Sequence, residues 1–504
     1  MSRKTIWGIS ANSHDAALAV FKHGCKGLTD RKTLQLKFAS HAERFSGIKN
    51  DPDLNRELID YARQYGDPDE VVWYERPWKK TLRQLLAGQG WRRDENDIAW
   101  YLQRYGIHAP IRYADHHHSH AAGGYYTSGF SDAAVLVLDS IGEFETLTVW
   151  HGQGTKLKKK FSQRYPHSVG LWYSAMTQRV GLKPNEDEYI LMGMAAYGDF
   201  KKLSSHINVD FVKKWPTIGD PSIKFTKNLH RGCKDWRPDL TSEQDLFDIA
   251  AATQKTYERI FEYILQDVSE RVSSKNLVLA GGCALNCSAN HIAQKYFKNV
   301  WIMPNPGDAG SSVGAVLVKY QTPIAWPGPY LGYNIEGDYP VDEIIQELLT
   351  NHICGVANGP SEFGPRALGN RSLLADPRGG NIKHRVNNIK QRQQFRPFAP
   401  AILAEHVDEY FEGVTGAYMQ YTARCRNPEL YPAVCHADGT SRVQTVAKND
   451  PGAVGFRRLL EQWYSLTGCP MLLNTSLNIK GKPMVNTADD AEQFKKQYGV
   501  QVFT

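Results

Sequence analysis

The chain has 504 residues, of which 41% are hydrophobic and 22% charged, and its net charge is +7. That length gives a prior of about three to five domains and ample core without disulfide or metal staples, and the composition excludes disordered and collagen-like chains. The longest apolar runs, such as residues 133–138, are about a third of the roughly 20 residues a membrane span needs, which excludes an integral membrane protein.

Residues 1–25 read as strand, turn and strand. Residues 5–10 are apolar, 11–15 are turn-forming, and 16–21 are apolar again. Basic residues near the start have no sustained apolar stretch behind them, so no secretory signal is expected. The eight cysteines, Cys25, Cys233, Cys283, Cys287, Cys354, Cys425, Cys435 and Cys469, show no paired zinc spacing. They read as reduced, and the protein as cytoplasmic.

Next in chain order comes Asp115-His116-His117-His118-Ser119-His120. On a helix capped by Asp115, His116 and His120 share one face and can present two imidazoles to one metal. A polar helix end with exposed histidines is the blander alternative. A second hairpin follows, with strands at 133–139 and 146–151 around a turn at 140–142. This module, used twice, suggests two related α/β halves. Residues 244–271 have helical character without Gly or Pro, and 276–280 form a buried-type strand ending in Gly281-Gly282. Residues 300–303 form another short strand, followed by a tight turn carrying Asp308. Asp139 also ends an apolar strand, and open α/β sheets place ligands at such ends. Two imidazoles and two carboxylates suit Fe, Mn or Zn. The Gly281-Gly282 turn and the acidic turn around Gly142 and Glu143 are candidates for a nucleotide. Tight packing would demand the same glycines.

The Pro/Gly-rich residues 322–339 mark the best domain boundary, giving domains of 1–335 and 340–504. Residues 341–350 read as a helix. Beyond it lie Glu362-Phe363-Gly364-Pro365-Arg366, then Phe395-Arg396-Pro397, then Arg442-Val443-Gln444, then Leu472-Leu473-Asn474. Residues 377–404 hold six Lys/Arg and no acid. Arginines set beside Gly, Pro and Phe argue for an enclosed anion site over a solvated basic face.

Taken together, these motifs, with 8–16, Glu43-Arg44-Phe45-Ser46-Gly47 and 188–198, resemble the carbamoyltransferase family of nodulation and antibiotic-tailoring enzymes. The resemblance covers nearly the whole chain. It implies a first part similar to the tRNA threonylcarbamoyl-transferring proteins, a duplicated ribonuclease-H-like, actin-like ATPase fold. It implies a smaller second α/β part similar to their adenylate-forming partner. Carbamoyl phosphate would lose phosphate in the second part, ATP would activate the carbamate as carbamoyl-adenylate, and a hydroxyl acceptor would attack it in the first. By this resemblance His116, His120, Asp139 and Asp308 are metal ligands, and His14, beside Asp15, is nearest the transfer chemistry. Gly142, Glu143, Gly281, Gly282 and Asn286 would surround the nucleotide with its Mg. Arg366, Lys390, Arg396, Arg442 and Asn474 would hold carbamoyl phosphate. Two departures stand out: Gly359 is followed by Pro360 where the family has Gly-Arg, and Ile190 and Leu191 replace a Lys-containing pattern.

An actin-like sugar kinase or ATPase is the competing enzyme reading, but it leaves the Arg-rich second part unexplained. A nucleic-acid-binding module with a degenerate core conflicts with the full set of candidate ligands. For the acceptor, residues 76–93 hold six Lys/Arg with Trp78 and Trp91, and 156–164 hold five with Phe161. Cations track phosphates and aromatics stack on bases, so the hydroxymethyl group of a pyrimidine in DNA stands beside a sugar or secondary-metabolite hydroxyl as the expected acceptor. The sequence leaves room for a homo-oligomer.

Overall fold

A computed structural model describes residues 4–24 and 33–504. Cys25 lies outside the described residues, and the other seven cysteines are free thiols. The chain forms two units, Met1–Phe38 with Pro52–Trp326, and Ala39–Asp51 with Pro327–Thr504. The break falls inside the Pro/Gly-rich stretch. The assignment of Ala39–Asp51 to the second unit carries no compositional signal.

The first unit holds two five-stranded sheets. One contains β1 (Lys4–Ser10), β2 (Ala17–Gly24), β3 (Thr33–His41), β4 (Glu70–Trp73) and β5 (Ile111–Tyr113), in the order β3-β2-β1-β4-β5. The other is built from β6 (Asp132–Gly142), β7 (Glu145–Gln153) and β8 (Lys156–Arg164). After a small ribbon of β9 (Val212–Lys214) and β10 (Lys224–Phe225), it is completed by β11 (Asn276–Ala280) and β12 (Asn299–Ile302). Its order is β8-β7-β6-β11-β12. In both sheets the first strand pairs antiparallel with its hairpin partner and parallel with the fourth, and the fourth pairs parallel with the fifth. The two halves share one topology, the duplicated ribonuclease-H-like arrangement of actin-like ATPases. Residues 133–138 of β6 are all buried, as expected for a strand covered on both faces.

Expected and observed boundaries differ where backbone geometry overrides composition. Strand β6 runs through the expected turn at 140–142 to Gly142, and the hairpin turns instead at Glu143-Phe144, with Glu143 at φ 55°. After Gly281, the expected helix start is a short 3₁₀ turn, Gly282–Leu285, and then a single helical turn, Cys287–Asn290. The long helix is Glu243–Arg271, started by a reciprocal cap between Ser242 and Asp245. No described helix is long and apolar enough to cross a membrane.

One helix pair sets the geometry that matters below. Helix His116–Thr127 packs against helix Ser311–Tyr320 through Gly123 and Gly314. A Cβ on Gly314 would overlap the Ser119 carbonyl.

The second unit is built on a six-stranded mixed sheet. Its strands, in spatial order, are Gln444–Val446, Ala399–Leu403, Met471–Ser476, Arg371–Ala375, Ile353–Ala357 and Val502–Phe503. Apolar layers cover both faces. Leu373 and Leu473 join one with Phe398 and Ile402, whereas Leu374 and Leu472 join the other with Leu403 and Trp463. Adjacent residues point to opposite faces, as strand geometry requires. Arg371 is fully buried, and its guanidinium donates to the carbonyls of Tyr333, Asn358, Gly359, Asn370 and Asn486. It is a cross-brace of the fold.

Because the helix crossing leaves no room for a side chain at residue 314, Gly314→Ala is expected to cost about 1–3 kcal/mol through overpacking. The check is a lower midpoint of chemical unfolding, accompanied by weaker divalent-metal binding because Asp308 immediately precedes that helix.

Candidate functional site

Four side chains from three parts of the first unit converge. His116 and His120 come from one helix face, Asp139 from β6, and Asp308 from the turn after β12. Each is at most 8% exposed, and one ligand atom from each lies within 4.8 Å of all the others. His116 Nε2 is 3.0 Å from His120 Nε2, 3.3 Å from Asp139 Oδ2 and 3.4 Å from Asp308 Oδ1. His120 Nε2 is 3.3 Å from Asp308 Oδ1 and 3.9 Å from Asp139 Oδ2. Donors at about 2.1 Å from one ion stand about 3.0–3.4 Å apart in octahedral or tetrahedral arrangements, so this set fits a divalent metal. The chemistry of two imidazoles and two carboxylates fits as well.

Supporting contacts orient the donors. His120 Nδ1 lies 3.3 Å from Ser311 Oγ, and the Gly282 N–H donates to Asp139 Oδ1 at 3.2 Å. A side chain at Gly142 would overlap the His116 ring, and one at Gly281 would overlap the Leu138 carbonyl, at a φ of 85° that favours glycine anyway. Gly142, expected around a nucleotide, therefore also makes room for His116, and Gly281 lets the turn pass close to the β6 backbone. Burial and the neighbouring Asp308 raise the Asp139 pKa, yet His116 and His120 outweigh them and hold it well below the usual carboxylate range. Burial likewise opposes ionisation of Asp308, but His116 and His14 keep it ionised.

His14 sits in the β1–β2 turn, between Asn12 at φ 61° and Asp15 at φ 56°. Its Nε2 is 3.6 Å from Asp308 Oδ2, its Nδ1 is 3.1 Å from Asp15 Oδ2, and half of its side chain is exposed. Desolvation lowers its pKa, but Asp308 and Asp15, then Asp139, outweigh it and push the value up to about 10. The other two histidines of the cluster are structural. His117 bonds Thr148, and burial pushes its pKa down to about 3. His118 stacks on Trp150. Asp115 occupies the capping position, but its side chain makes no cap, because Arg76 and Lys79 take its carboxylate.

The remaining candidates in this unit are engaged locally. Glu143 accepts from the Arg76 N–H at 2.7 Å and lies 3.2 Å from Lys79. Asn286 exchanges amide hydrogen bonds with Gln254, which accepts from the Tyr173 hydroxyl.

In the second unit Asn474, Lys390 and the neighbours of Arg366 and Arg442 meet around strand Met471–Ser476. Asn474 donates to the Ala367 carbonyl, next to Arg366, and to Gln444, two residues from Arg442. Its Oδ1 and the Arg442 Nε are buried without hydrogen-bond partners. Lys390 donates to Ser476 and Asn478, two and four residues beyond Asn474. Burial, then Arg392 and Arg396, push the Lys390 pKa well down. Sequence reasoning gave no role to Arg44, which is buried and donates to the Gly364 carbonyl in the loop carrying Arg366. It also missed Glu362, whose carboxylate accepts the N–H groups of Leu368, Asn370 and Arg371. The density of polar residues in the Glu43–Gly47 motif was the available signal for Arg44.

The donor set yields a graded expectation. His120→Ala abolishes metal binding with the secondary structure intact, whereas Ser311→Ala weakens it about 10–100-fold by freeing the His120 ring. Metal titration by calorimetry alongside circular dichroism checks both.

Comparison with known proteins agrees with this architecture. The family model described as carbamoyltransferase N-terminus matches residues 5–317, and that described as carbamoyltransferase C-terminus matches residues 345–504. Nodulation protein NolNO of Sinorhizobium fredii is 30% identical, over 95% of this chain and 76% of its own length. The 3'-hydroxymethylcephem-O-carbamoyltransferase of Amycolatopsis lactamdurans is 28% identical, over 97% of this chain and 95% of its own. An uncharacterised Synechocystis protein is 32% identical, over 96% and 93% respectively. With both family models matched in order and relatives similar along almost its full length, the chain belongs to the carbamoyltransferase family.

Proposed function

We propose that the protein is an ATP-dependent O-carbamoyltransferase acting through carbamoyl-adenylate. The observation that carries this reading is the convergence of His116, His120, Asp139 and Asp308 with His14 3.6 Å from Asp308. In the second unit, Arg366, Arg396 and Arg442 bind the carbamoyl phosphate dianion, with Lys390 holding the Ser476–Asn478 turn and Asn474 its neighbour. Water releases phosphate to leave carbamate, whose oxygen displaces pyrophosphate from ATP. In the first unit the acceptor oxygen bonds to the carbamoyl carbon, AMP departs, and the hydroxyl proton passes to His14. In this reading the adenylate phosphate lies beside the turns that carry Gly142-Glu143 and Gly281-Gly282. A divalent cation held by the four donors, when bound, would supply Lewis acidity and neutralise Asp308 and Asp139, two of the carboxylates that raise the His14 pKa, bringing the imidazole closer to the range of a base at neutral pH.

For the acceptor we read a hydroxymethyl group on a pyrimidine base in DNA. The support is local: Trp78 and Trp91 are 62% and 64% exposed within the acid-free stretch 76–93. The second basic stretch lends less, because Arg271 covers Phe161 at 5.3 Å. The name of the cephem relative specifies an acceptor hydroxymethyl group, which fits the same chemistry. A base within a duplex would be flipped out, at a cost of a few kcal/mol.

Two outcomes test these readings. Arg396→Ala is expected to lose about 1.5–3 kcal/mol of carbamoyl phosphate binding while transfer from pre-made carbamoyl-adenylate persists, and His14→Ala is expected to fail in the transfer step. Failure of both variants at the same half-reaction overturns the two-site assignment. DNA affinity is expected to fall steeply between 50 and 200 mM salt, roughly as counterion release dictates, and hydroxymethylated DNA is expected to gain carbamoyl groups by mass spectrometry. Efficient modification of a free sugar without DNA binding decides for a small-molecule acceptor.

A further inference from the structure

A cleft of about 300 Å³ opens beside His14, lined by Asn12, Ser13, Lys80, Arg83 and Arg92 among others. That volume is at the small end of ligand sites and accommodates one base- or sugar-sized group. The cleft is built by two local elements, the β1–β2 turn and the helix Pro77–Leu86 with the loop after it.

Its three cations differ in what they are free to do. Lys80 is buried, lies 2.8 Å from Glu75 and donates to the Asn12 carbonyl. It holds the turn that carries His14. Arg92 is exposed and paired with Glu95 at 3.0 Å. Arg83 has no carboxylate within ion-pair distance among the described residues. Its Nη1 donates to Gln89 Oε1 at 3.1 Å, and its Nε is buried without a partner. Glu75, the acid that acts on it at longer range, is the one Lys80 engages. A partly buried guanidinium with unused donors facing a cleft is a site for a planar or tetrahedral oxyanion, and its fork geometry suits phosphate.

We propose that Arg83 recognises a phosphate group carried by the acceptor alcohol, so that the enzyme selects phosphorylated acceptors at the His14 cleft. This rests on the reading of His14 as the residue at the transfer step. It does not require that the acceptor be DNA. Arg83 is a specificity residue: it forms no bond to the carbamoyl group and leaves formation of the adenylate untouched.

The test compares matched acceptors in the full-length, metal-loaded enzyme. These are 5-hydroxymethyldeoxycytidine against its 5'-monophosphate and against a short single-stranded oligonucleotide containing it, and glucose against glucose 6-phosphate. The wild type is expected to favour the phosphorylated member in kcat/KM by about ten- to a hundredfold, the range of a charge-assisted hydrogen bond. Arg83→Gln is expected to abolish that preference mainly through KM, and Arg83→Lys to retain part of it. Acceptor-independent phosphate release from carbamoyl phosphate, unchanged in both variants, shows that they are folded. Equal use of both members of each pair by the wild type, use of none of them, or an undiminished preference in Arg83→Gln overturns the proposal. Preference for glucose 6-phosphate with no use of the nucleotide or oligonucleotide keeps the Arg83 assignment and sinks the DNA reading. Preference for the oligonucleotide over the mononucleotide supports both.

Discussion

Burying two carboxylates together is the constraint on which the first unit is organised. Asp139 and Asp308 place oxygens in one cluster less than 5 Å across, where each raises the cost of ionising the other. Buried charges of like sign persist only when opposite charge is brought equally close. Here two imidazoles supply that contact from one helix face, and a divalent cation would supply it more completely. The helix bearing them must approach closely enough to reach both acids. Gly314 and Gly142 are the places where the backbone yields space for it.

The same constraint explains why the site is reached from two sheets of equal topology. Asp139 lies near the C-terminal end of the central strand of one sheet, and His14 occupies the first hairpin turn of the other. Duplication thus presents two equivalent strand ends to one cluster. In one half the hairpin turn carries a histidine, in the other Glu143. The halves have diverged in side chains and kept their pairing pattern.

Much of this was legible in the sequence, for identifiable reasons. His116 and His120 share a face because helical periodicity demands it, and Asp139 was marked by the apolar run it ends. Strands β3, β4 and β5 were not, since their apolar residues are few or interrupted by polar ones. The contribution of Ala39–Asp51 to the second unit depends on tertiary contacts that no local pattern records. Composition also could not sort the arginines. Arg371 looks like Arg366 in sequence, yet it is spent on five backbone carbonyls and braces the fold. Arg83, within an acid-free run, lacks the Asp115 carboxylate that pairs with both Arg76 and Lys79.

The outer strand β8 carries a different lesson. It ends its sheet, and Lys156, Lys158, Lys159 and Lys160 stand exposed along it. An open strand edge invites another chain to extend the sheet. A second copy docking there edge to edge would align like-charged rows at strand spacing, under 5 Å apart, which repels it. The row of lysines therefore disfavours edge-to-edge pairing of two copies, a consequence that a count of basic residues, read as an attraction for polyanions, conceals.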